Sequence, residues 1–256
     1  MRWVALLILL MNMTASFAGV KAVLFDCDGT LVDTEYGHYL GLKLALNELG
    51  SDLTFDDYSQ CVDVGNPGGT SAQLIAEKSG IDCTDFLLER KREHYVRLCK
   101  AGFPPLIQTV NFLKTLASEK ESLGIKIGVC SAANKEEIFA HLKHLQIEHL
   151  LDMVLSGSDD LDDYTDPEGV NKPKPYIYLH AMKLLGVAPE ETVVIEDSRA
   201  GSLAGVSAGC FTIAIPNDHT RHHDFSHSHW QLDSFAELDI QSFFQTIVKM
   251  KANPKF

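Results

Sequence analysis

The chain has 256 residues, of which 45% are hydrophobic and 22% charged, a balance typical of a folded soluble protein with one core and room for an inserted subdomain. Its 35 acidic residues outnumber 22 basic ones, and a net charge of -13 repels phosphate backbones, so we predict no nucleic-acid partner. The six cysteines contain no CxxC pair and indicate separate, mostly buried thiols. We expect a monomer.

The first 18 residues have the pattern of an export signal. Arg2 precedes the nine-residue apolar run "WVALLILLM", and the small residues of "SFA" at 16–18 suit cleavage by a signal peptidase. The run is too short for a stable membrane span. We therefore predict a cleaved signal that ends at Ala18 and a periplasmic or secreted location. A mis-set start, with Met13 as the initiator of a cytoplasmic protein, is the alternative that the unpaired thiols favour.

Short apolar segments alternate with helical patterns along the rest of the chain. Five segments are typical of buried parallel strands: 21–25, 125–130, 152–156, 192–196 and 211–215. Helical patterns lie between the later segments, at 134–145 and at 173–186, where Gly186 ends the second helix. This alternation predicts an α/β fold with a doubly wound, parallel, Rossmann-like sheet.

The alternation is interrupted between residues 37 and 105. This stretch contains helical patterns, such as "TDFLLERKREHYVRLCK" at 84–100, and no strand-like segment. The "FPP" at 103–105 marks the return of the chain to the sheet. We therefore predict a helical domain at 37–105, inserted into an α/β core made of residues 19–36 and 106–256.

Polar side chains occur where predicted strands end, and a parallel sheet brings such ends to one edge. The set consists of Asp26, Asp28, Ser131, Lys172, Glu196 and Asp197. Taken singly, each has a simpler structural explanation, because aspartate before glycine favours a turn, serine caps helices, and a lysine between prolines is usually solvated. Together they supply carboxylates, a hydroxyl and an ammonium, which suit a phosphate ester and a hard divalent cation.

Four motifs in this set resemble those of the haloacid dehalogenase superfamily, in its phosphatase and phosphomutase branch. The stretch "DCDGTLVDTE" at 26–35 resembles the first motif, Ser131 the second, Lys172 in "KPKP" the third and "EDSRAG" at 196–201 the fourth. The motifs appear in the family's order. Tyr176 departs from the pattern, since the family often has an aspartate there. The resemblance implies that the inserted helical domain is a cap.

The resemblance assigns the chemistry to two aspartates. Asp26 is the expected nucleophile, which forms an aspartyl phosphate. Asp28 is expected to protonate the leaving oxygen and then to activate water. Mg²⁺ is the implied cofactor, held by Asp26, the backbone carbonyl of Asp28 and Asp197, with Glu196 in or next to its coordination shell.

Phosphate binding is implied for three further residues. Ser131 and the backbone N–H of Ala132 are expected to hold phosphoryl oxygens, while Lys172 offsets their negative charge. A halide leaves without an acid, so the presence of Asp28 favours phosphoryl transfer over dehalogenation. The expected partner is a small phosphorylated metabolite.

The acceptor of the phosphoryl group depends on the cap. Thr34, His38 and Lys91 are candidate substrate contacts, and the last two resemble cap residues of β-phosphoglucomutases. The simpler interpretations are a helix start for His38 and a charged helical face for Lys91. A mutase needs a cationic site for a second phosphate, and the loop "DVGNPGG" at 63–69 contains no basic residue. We therefore predict a phosphatase, with a β-phosphoglucomutase-like phosphomutase as the alternative.

An alternative function, metal binding without catalysis, is suggested by the segment "HTRHHDFSHSHW" at 219–230. It contains five of the chain's eleven histidines: His219, His222, His223, His227 and His229. Imidazole is a common transition-metal ligand, so a transition-metal-binding protein is conceivable. The spacing follows no helix face and no cysteine joins the group, which favours a solvated loop.

Overall fold

The computed structural model describes residues 19–61, 68–78, 80–81 and 84–253. The predicted export signal, residues 1–18, lies outside this part of the chain. Most of the loop at 63–69 also lies outside it. No helix within the described ranges is long and apolar enough to cross a membrane.

Parallel strands form the centre of the fold. They are β1 (Ala22–Phe25), β2 (Lys126–Ser131), β3 (Met153–Ser156), β4 (Thr192–Glu196), β5 (Phe211–Ala214) and β6 (Trp230–Gln231). They pair in the order β3-β2-β1-β4-β5-β6, so β1 lies between β2 and β4. The predicted doubly wound, parallel α/β fold is confirmed. Sequence patterns missed β6, because two residues are too few for a periodic pattern.

A group of helices is inserted after β1. They are α1 (Glu35–Glu48), α2 (Phe55–Cys61), α3 (Gly68–Lys78) and α4 (Thr84–Ala101). They share a hydrophobic cluster of their own, which includes Leu42, Leu46 and Leu87. The two connections to the sheet lie side by side, since the N–H of Asp33 donates to the carbonyl of Pro104 at 2.9 Å. The described part of the insertion is thus helical, while its separation as a cap domain stays a prediction.

The remaining helices cover both faces of the sheet. They are α5 (Ile107–Leu123), α6 (Lys135–Leu145), α7 (Tyr176–Leu185), α8 (Arg199–Ser207) and α9 (Ile240–Ala252). Val23 and Phe25 of β1 pack into a cluster with α5, α6 and α9, whereas Leu24 packs into a second cluster with α7 and α8. Both faces of β1 are therefore buried, as expected for a parallel sheet. Free, buried cysteines were also predicted, and the structure shows them at Cys27, Cys99, Cys130 and Cys210.

Two predicted helices differ in how well their starts were placed. α6 begins after Asn134, whose side chain accepts the N–H of Glu137 at 3.0 Å and caps the helix. α7 begins three residues later than predicted, at Tyr176. The residues before it form a turn, in which the N–H of Lys174 donates to the carbonyl of Asn171 at 3.0 Å. This turn carries Lys172 to the carboxyl edge of the sheet.

Candidate active site

Asp26 lies directly after β1, at the centre of the carboxyl edge of the sheet. Its N–H donates to the carbonyl of Ile195 on β4 at 3.0 Å, so backbone pairing sets where its side chain emerges. Its Oδ1 lies 2.5 Å from Nζ of Lys172. Burial and the neighbouring Glu196 raise the pKa of Asp26 to about 8, against the lowering effect of Lys172. The carboxyl group is therefore held by an ammonium and crowded by like charge.

Lys172 links several oxygens of the site. Its Nζ donates to Oδ1 of Asp26 at 2.5 Å, to Oε1 of Glu196 at 2.6 Å and to the carbonyl of Cys130 at 2.8 Å. Burial disfavours the charged ammonium, but Asp26 and Glu196 outweigh it and raise the pKa of Lys172 above its usual range. These contacts use all three N–H donors. A direct contact with a phosphoryl oxygen therefore requires Lys172 to exchange one partner.

Asp26, Glu196 and Asp197 are the one group of potential metal ligands among the described residues. Their oxygens lie within 4.8 Å of one another and all three residues are buried. Burial, together with the charges of Asp26 and Glu196, raises the pKa of Asp197 well above its usual range. Three carboxylates form an all-oxygen set of ligands, which fits Mg²⁺. Oε1 of Glu196 already accepts from Lys172 and from the hydroxyl of Tyr178 at 2.6 Å, so Asp26 and Asp197 are the better-placed ligands.

The position of Asp197 depends on two residues that sequence analysis did not assign to the site. Nδ2 of Asn217 donates to Oδ2 of Asp197 at 2.9 Å and to the carbonyl of Gly29 at 3.0 Å. A Cβ atom on Gly29, whose φ is +81°, would lie 2.3 Å from Oδ2 of Asp197, so only glycine permits this approach. Asn217 comes shortly after β5, and the strand-end rule that located the other residues could have found it.

Asp28 has different partners from Asp26. Ser131, the last residue of β2, donates its hydroxyl to Oδ2 of Asp28 at 2.9 Å. Oδ1 of Asp28 has no hydrogen-bond partner in the described part of the chain, and Nε2 of His141 lies 3.7 Å from it. Ala132 follows Ser131 and is exposed at the same edge. The structure thus brings the predicted core residues to one edge of the sheet, while their catalytic roles stay predictions.

A family model described as haloacid dehalogenase-like hydrolase matches residues 20–209. The chain belongs to this family. The matched stretch starts just before β1 and ends after α8, so it includes the predicted core residues from Asp26 to Asp197. The chain is therefore an enzyme of the haloacid dehalogenase-like hydrolases, as its motifs predicted.

The chain is similar to two relatives with phosphatase names and to the solved structure of a third protein. YhcW of Bacillus subtilis, whose name describes a phosphatase, is 29% identical over 86% of this chain and 94% of its own length. A phosphorylated carbohydrates phosphatase of Thermotoga maritima is 28% identical over 74% of this chain and 82% of its own. The structure of a CbbY variant from Rhodobacter sphaeroides in complex with xylulose-(1,5)bisphosphate has a TM-score of 0.67 and 25% identity, over 86% of this chain and 96% of that one.

The candidate substrate residues of this haloacid dehalogenase-like hydrolase surround α1. Thr34 is buried directly before that helix. His38, one turn into α1, stacks on the ring of Tyr95 with a centroid distance of 4.1 Å, and its Nδ1 has no partner among the described residues. Burial, helped by the charge of Lys91, lowers the pKa of His38 to about 3. The imidazole of His38 is therefore neutral near pH 7.

Lys91, on α4, differs from Lys172 in having no ion-pair partner among the described residues. Burial lowers the pKa of Lys91, while the charges of Glu35 and Glu137 oppose that effect. It forms no ion pair with any residue that the structure describes. Its ammonium is therefore available to a negatively charged group.

The histidine-rich segment at 219–230 bonds to the core instead of forming a cluster of ligands. Nδ1 of His229 accepts the N–H of Thr212 at 3.0 Å, and Nε2 of His227 lies 2.9 Å from Oγ of Ser202. Within the described ranges, no three of these histidines have the spacing of a metal site. His223, His227 and His229 attach the segment to α8 and β5. The transition-metal-binding alternative stays a prediction.

Proposed function

We propose that this haloacid dehalogenase-like hydrolase is a Mg²⁺-dependent phosphatase of a small phosphorylated metabolite, with sugar phosphates as the favoured class. The observation that carries the proposal is the position of Asp26, a buried carboxylate at the end of the central strand, 2.5 Å from Lys172 and beside Asp197. The substrate class is supported by the names of two relatives, a phosphatase of phosphorylated carbohydrates and a protein solved with a sugar bisphosphate.

The proposed reaction has two steps, phosphoryl transfer to Asp26 and hydrolysis of the phosphoenzyme, and Asp28 transfers a proton in both. Asp26 attacks phosphorus, and a bond from its carboxylate oxygen forms as the bond to the ester oxygen breaks. Asp28 gives a proton to the leaving oxygen, which keeps the electron pair of the broken bond. Asp28 then takes a proton from water, whose oxygen attacks phosphorus. The bond to Asp26 breaks, phosphate leaves, and the carboxylate is restored.

Other residues bind and orient the phosphoryl group in this proposal. The hydroxyl of Ser131 and the N–H of Ala132 hold phosphoryl oxygens, and Lys172 limits the negative charge around Asp26. Asp26, Asp197 and the backbone carbonyl of Asp28 would hold Mg²⁺, which when bound supplies positive charge beside the phosphoryl oxygens.

We also infer that helices α1–α4 act as a cap over the site, with Thr34, His38 and Lys91 on its substrate side. The inference is supported by the ammonium of Lys91 and Nδ1 of His38, which have no ion-pair or hydrogen-bond partner in the part of the chain that the structure describes. A second negative group on the substrate would pair with Lys91, and a substrate hydroxyl would form a hydrogen bond with Nδ1 of His38.

A turnover screen tests the proposal. Purified protein is assayed against sugar phosphates, phosphoglycolate, nucleoside monophosphates and acyl phosphates, with Mg²⁺ and again with a chelator. We expect the highest kcat/KM for a sugar phosphate, loss of activity on chelation, and recovery when Mg²⁺ is restored. Undiminished activity with the chelator would contradict the metal assignment, and a preference for nucleoside monophosphates would contradict the substrate class.

A phosphomutase is the second candidate, and the observation that favours it is the ammonium of Lys91, which forms no ion pair with the residues described. A mutase must hold a bisphosphate while it reorients, which suits a bidentate arginine better than one flexible lysine. The loop at 63–69 offers no basic residue to help Lys91. With β-glucose 1-phosphate and a trace of the 1,6-bisphosphate, we expect free phosphate to form faster than glucose 6-phosphate. The reverse result would replace the phosphatase proposal.

Export remains our proposal for the location of the protein. The apolar run after Arg2 and the small residues before Gly19 support removal of residues 1–18. N-terminal sequencing of the protein from its native cells should give a chain that starts at Gly19. A start at Met1 or Met13 would contradict export.

A further inference from the structure

A buried histidine next to Asp28 has no role in the mechanism proposed above. His141 lies on α6, and its side chain is fully buried. Its Nε2 lies 3.7 Å from Oδ1 of Asp28 and 3.7 Å from Sγ of Cys99 on α4. Among the described residues, both Oδ1 of Asp28 and Nδ1 of His141 lack hydrogen-bond partners. Buried polar atoms without partners are costly, so this arrangement calls for an explanation.

The hydroxyl of Ser131 identifies which oxygen of Asp28 needs support. It carries one proton, which it donates to Oδ2 of Asp28 at 2.9 Å. In the proposed mechanism, the Ser131 hydroxyl donates instead to a phosphoryl oxygen once the substrate binds. Oδ2 of Asp28 is then free to carry the proton that the leaving oxygen receives. The buried Oδ1 is then the atom through which the protein can orient the carboxyl group.

We propose that His141 is a positioning residue whose Nε2–H donates to Oδ1 of Asp28 and keeps Oδ2 facing the leaving oxygen. This inference rests on the proposed phosphatase mechanism. A movement of about 0.7 Å brings the two atoms into hydrogen-bond range. The negative charge of Asp28 favours the proton on Nε2, whereas the thiol of Cys99 is a weak partner.

The state of the imidazole agrees with this role. Burial lowers the pKa of His141, and the charge of Asp28 only partly opposes that effect. A neutral imidazole has one N–H donor and cannot replace Asp28 as the acid. The ring also packs 5.6 Å, centroid to centroid, from Phe103, which limits its rotation.

The test uses the dependence of general-acid catalysis on the leaving group, because a poor leaving group needs the proton most. We measure kcat/KM for p-nitrophenyl phosphate and for phenyl phosphate, since this constant reports phosphoryl transfer and not the later hydrolysis of the phosphoenzyme. His141→Phe keeps a ring and removes the donor. We expect a loss of about 10-fold with phenyl phosphate and of less than about 3-fold with p-nitrophenyl phosphate.

Two further variants serve as controls. His141→Gln retains an N–H donor and should recover most of the activity on phenyl phosphate. His144→Phe changes an exposed histidine on the same helix and should leave both substrates unaffected. If His141→Phe fails to fold in a thermal unfolding assay, His141→Met takes its place.

Equal losses on the two substrates, or no loss on phenyl phosphate, would overturn the role of His141. Failure of His141→Gln to recover activity would also contradict it. Asp26→Asn is assayed in parallel to separate this outcome from failure of the proposed function. Activity in that variant would refute the phosphatase mechanism, whereas an inactive Asp26→Asn with equal losses in His141→Phe would refute the positioning role alone.

Discussion

Asp26 and Asp28 are two residues apart in the chain, yet their carboxyl groups lie in contrasting surroundings. Asp26 is buried against Lys172, whose three donors are all in use. Oδ2 of Asp28 accepts a hydrogen bond from the hydroxyl of Ser131, and Oδ1 has no partner in the described part of the chain. A nucleophile needs a fixed direction of attack, whereas an acid that becomes a base must release and regain a proton. The two surroundings match these different needs.

The two halves of the site also differ in which part of the fold builds them. The partners of Asp26 all come from the α/β core, from the turn before α7 and from the end of β4. The surroundings of Asp28 include His141 of the core, which contacts Cys99 of the insertion. The surroundings of Asp28 therefore extend to the insertion through His141, whereas Lys172, which pairs with Asp26, belongs to the core.

The largest effect is expected for Asp26→Asn. An amide cannot form the acyl phosphate, so turnover should fall by about 10⁴-fold or more. No radioactive phosphoenzyme should form from a ³²P-labelled substrate. A trapped phosphoenzyme in this variant would assign the nucleophile to another residue and remove the contrast between the two aspartates.

Asp28→Asn should have a smaller effect on the first half of the reaction than on the second. With p-nitrophenyl phosphate the nucleophile can still attack, but no base activates water, so steady-state turnover should fall by about 10²- to 10³-fold. Labelled phosphoenzyme should accumulate and decay slowly. Absence of labelled phosphoenzyme in both aspartate variants would leave the acid and base role of Asp28 unsupported.

Asn217→Ala tests the side of the site that contains Asp26 and Asp197. Loss of the 2.9 Å hydrogen bond to Asp197 should raise the Mg²⁺ concentration for half-maximal activity by about 10-fold. The increase in melting temperature on adding Mg²⁺ should need a similarly higher concentration. Asn111→Ala, at an exposed position on α5, is the matched control. An unchanged Mg²⁺ requirement would limit the role of Asn217 to its contact with Gly29.

His38→Gln should have the smallest effect, on the pH dependence of stability. Burial and Lys91 lower the folded-state pKa of His38 to about 3, although Asp28 opposes them, while an unfolded histidine titrates near 6.5. Between these values the unfolded state binds more protons, so acidification destabilises the fold. From pH 7 to pH 5 the wild type should lose about 2 kcal/mol more unfolding free energy than His38→Gln.

Urea unfolding at the two pH values measures this difference. His144→Gln controls for the loss of one histidine from an exposed position. Equal losses in the wild type and in His38→Gln would show that His38 is not held neutral by its surroundings. The surroundings of His38 and Asp28 would then be more polar than the lack of hydrogen-bond partners, among the described residues, at Nδ1 of His38 and Oδ1 of Asp28 indicates.

The accuracy of the sequence predictions follows the type of element that carries each residue. Ser131, Glu196 and Asp197 were located because apolar strands are easy to recognise and their ends share one edge of a parallel sheet. His141 escaped prediction because it follows Ile138 by three residues and occupies a core position of an amphipathic helix. Such a histidine is indistinguishable in sequence from one that only fills space.

The sequence by itself determined the family, the parallel α/β sheet and the order of the polar residues at its carboxyl edge, since these depend on local hydrophobic patterns and on motifs. Only the tertiary structure decided which atoms are paired. Lys172 and Asp26 are 146 residues apart, and Ser131 and Asp28 are 103 apart. Contacts of this range depend on how helices and turns pack on the sheet, which sets the direction of each side chain. That packing pairs Asp26 with Lys172 and leaves one oxygen of Asp28 facing His141.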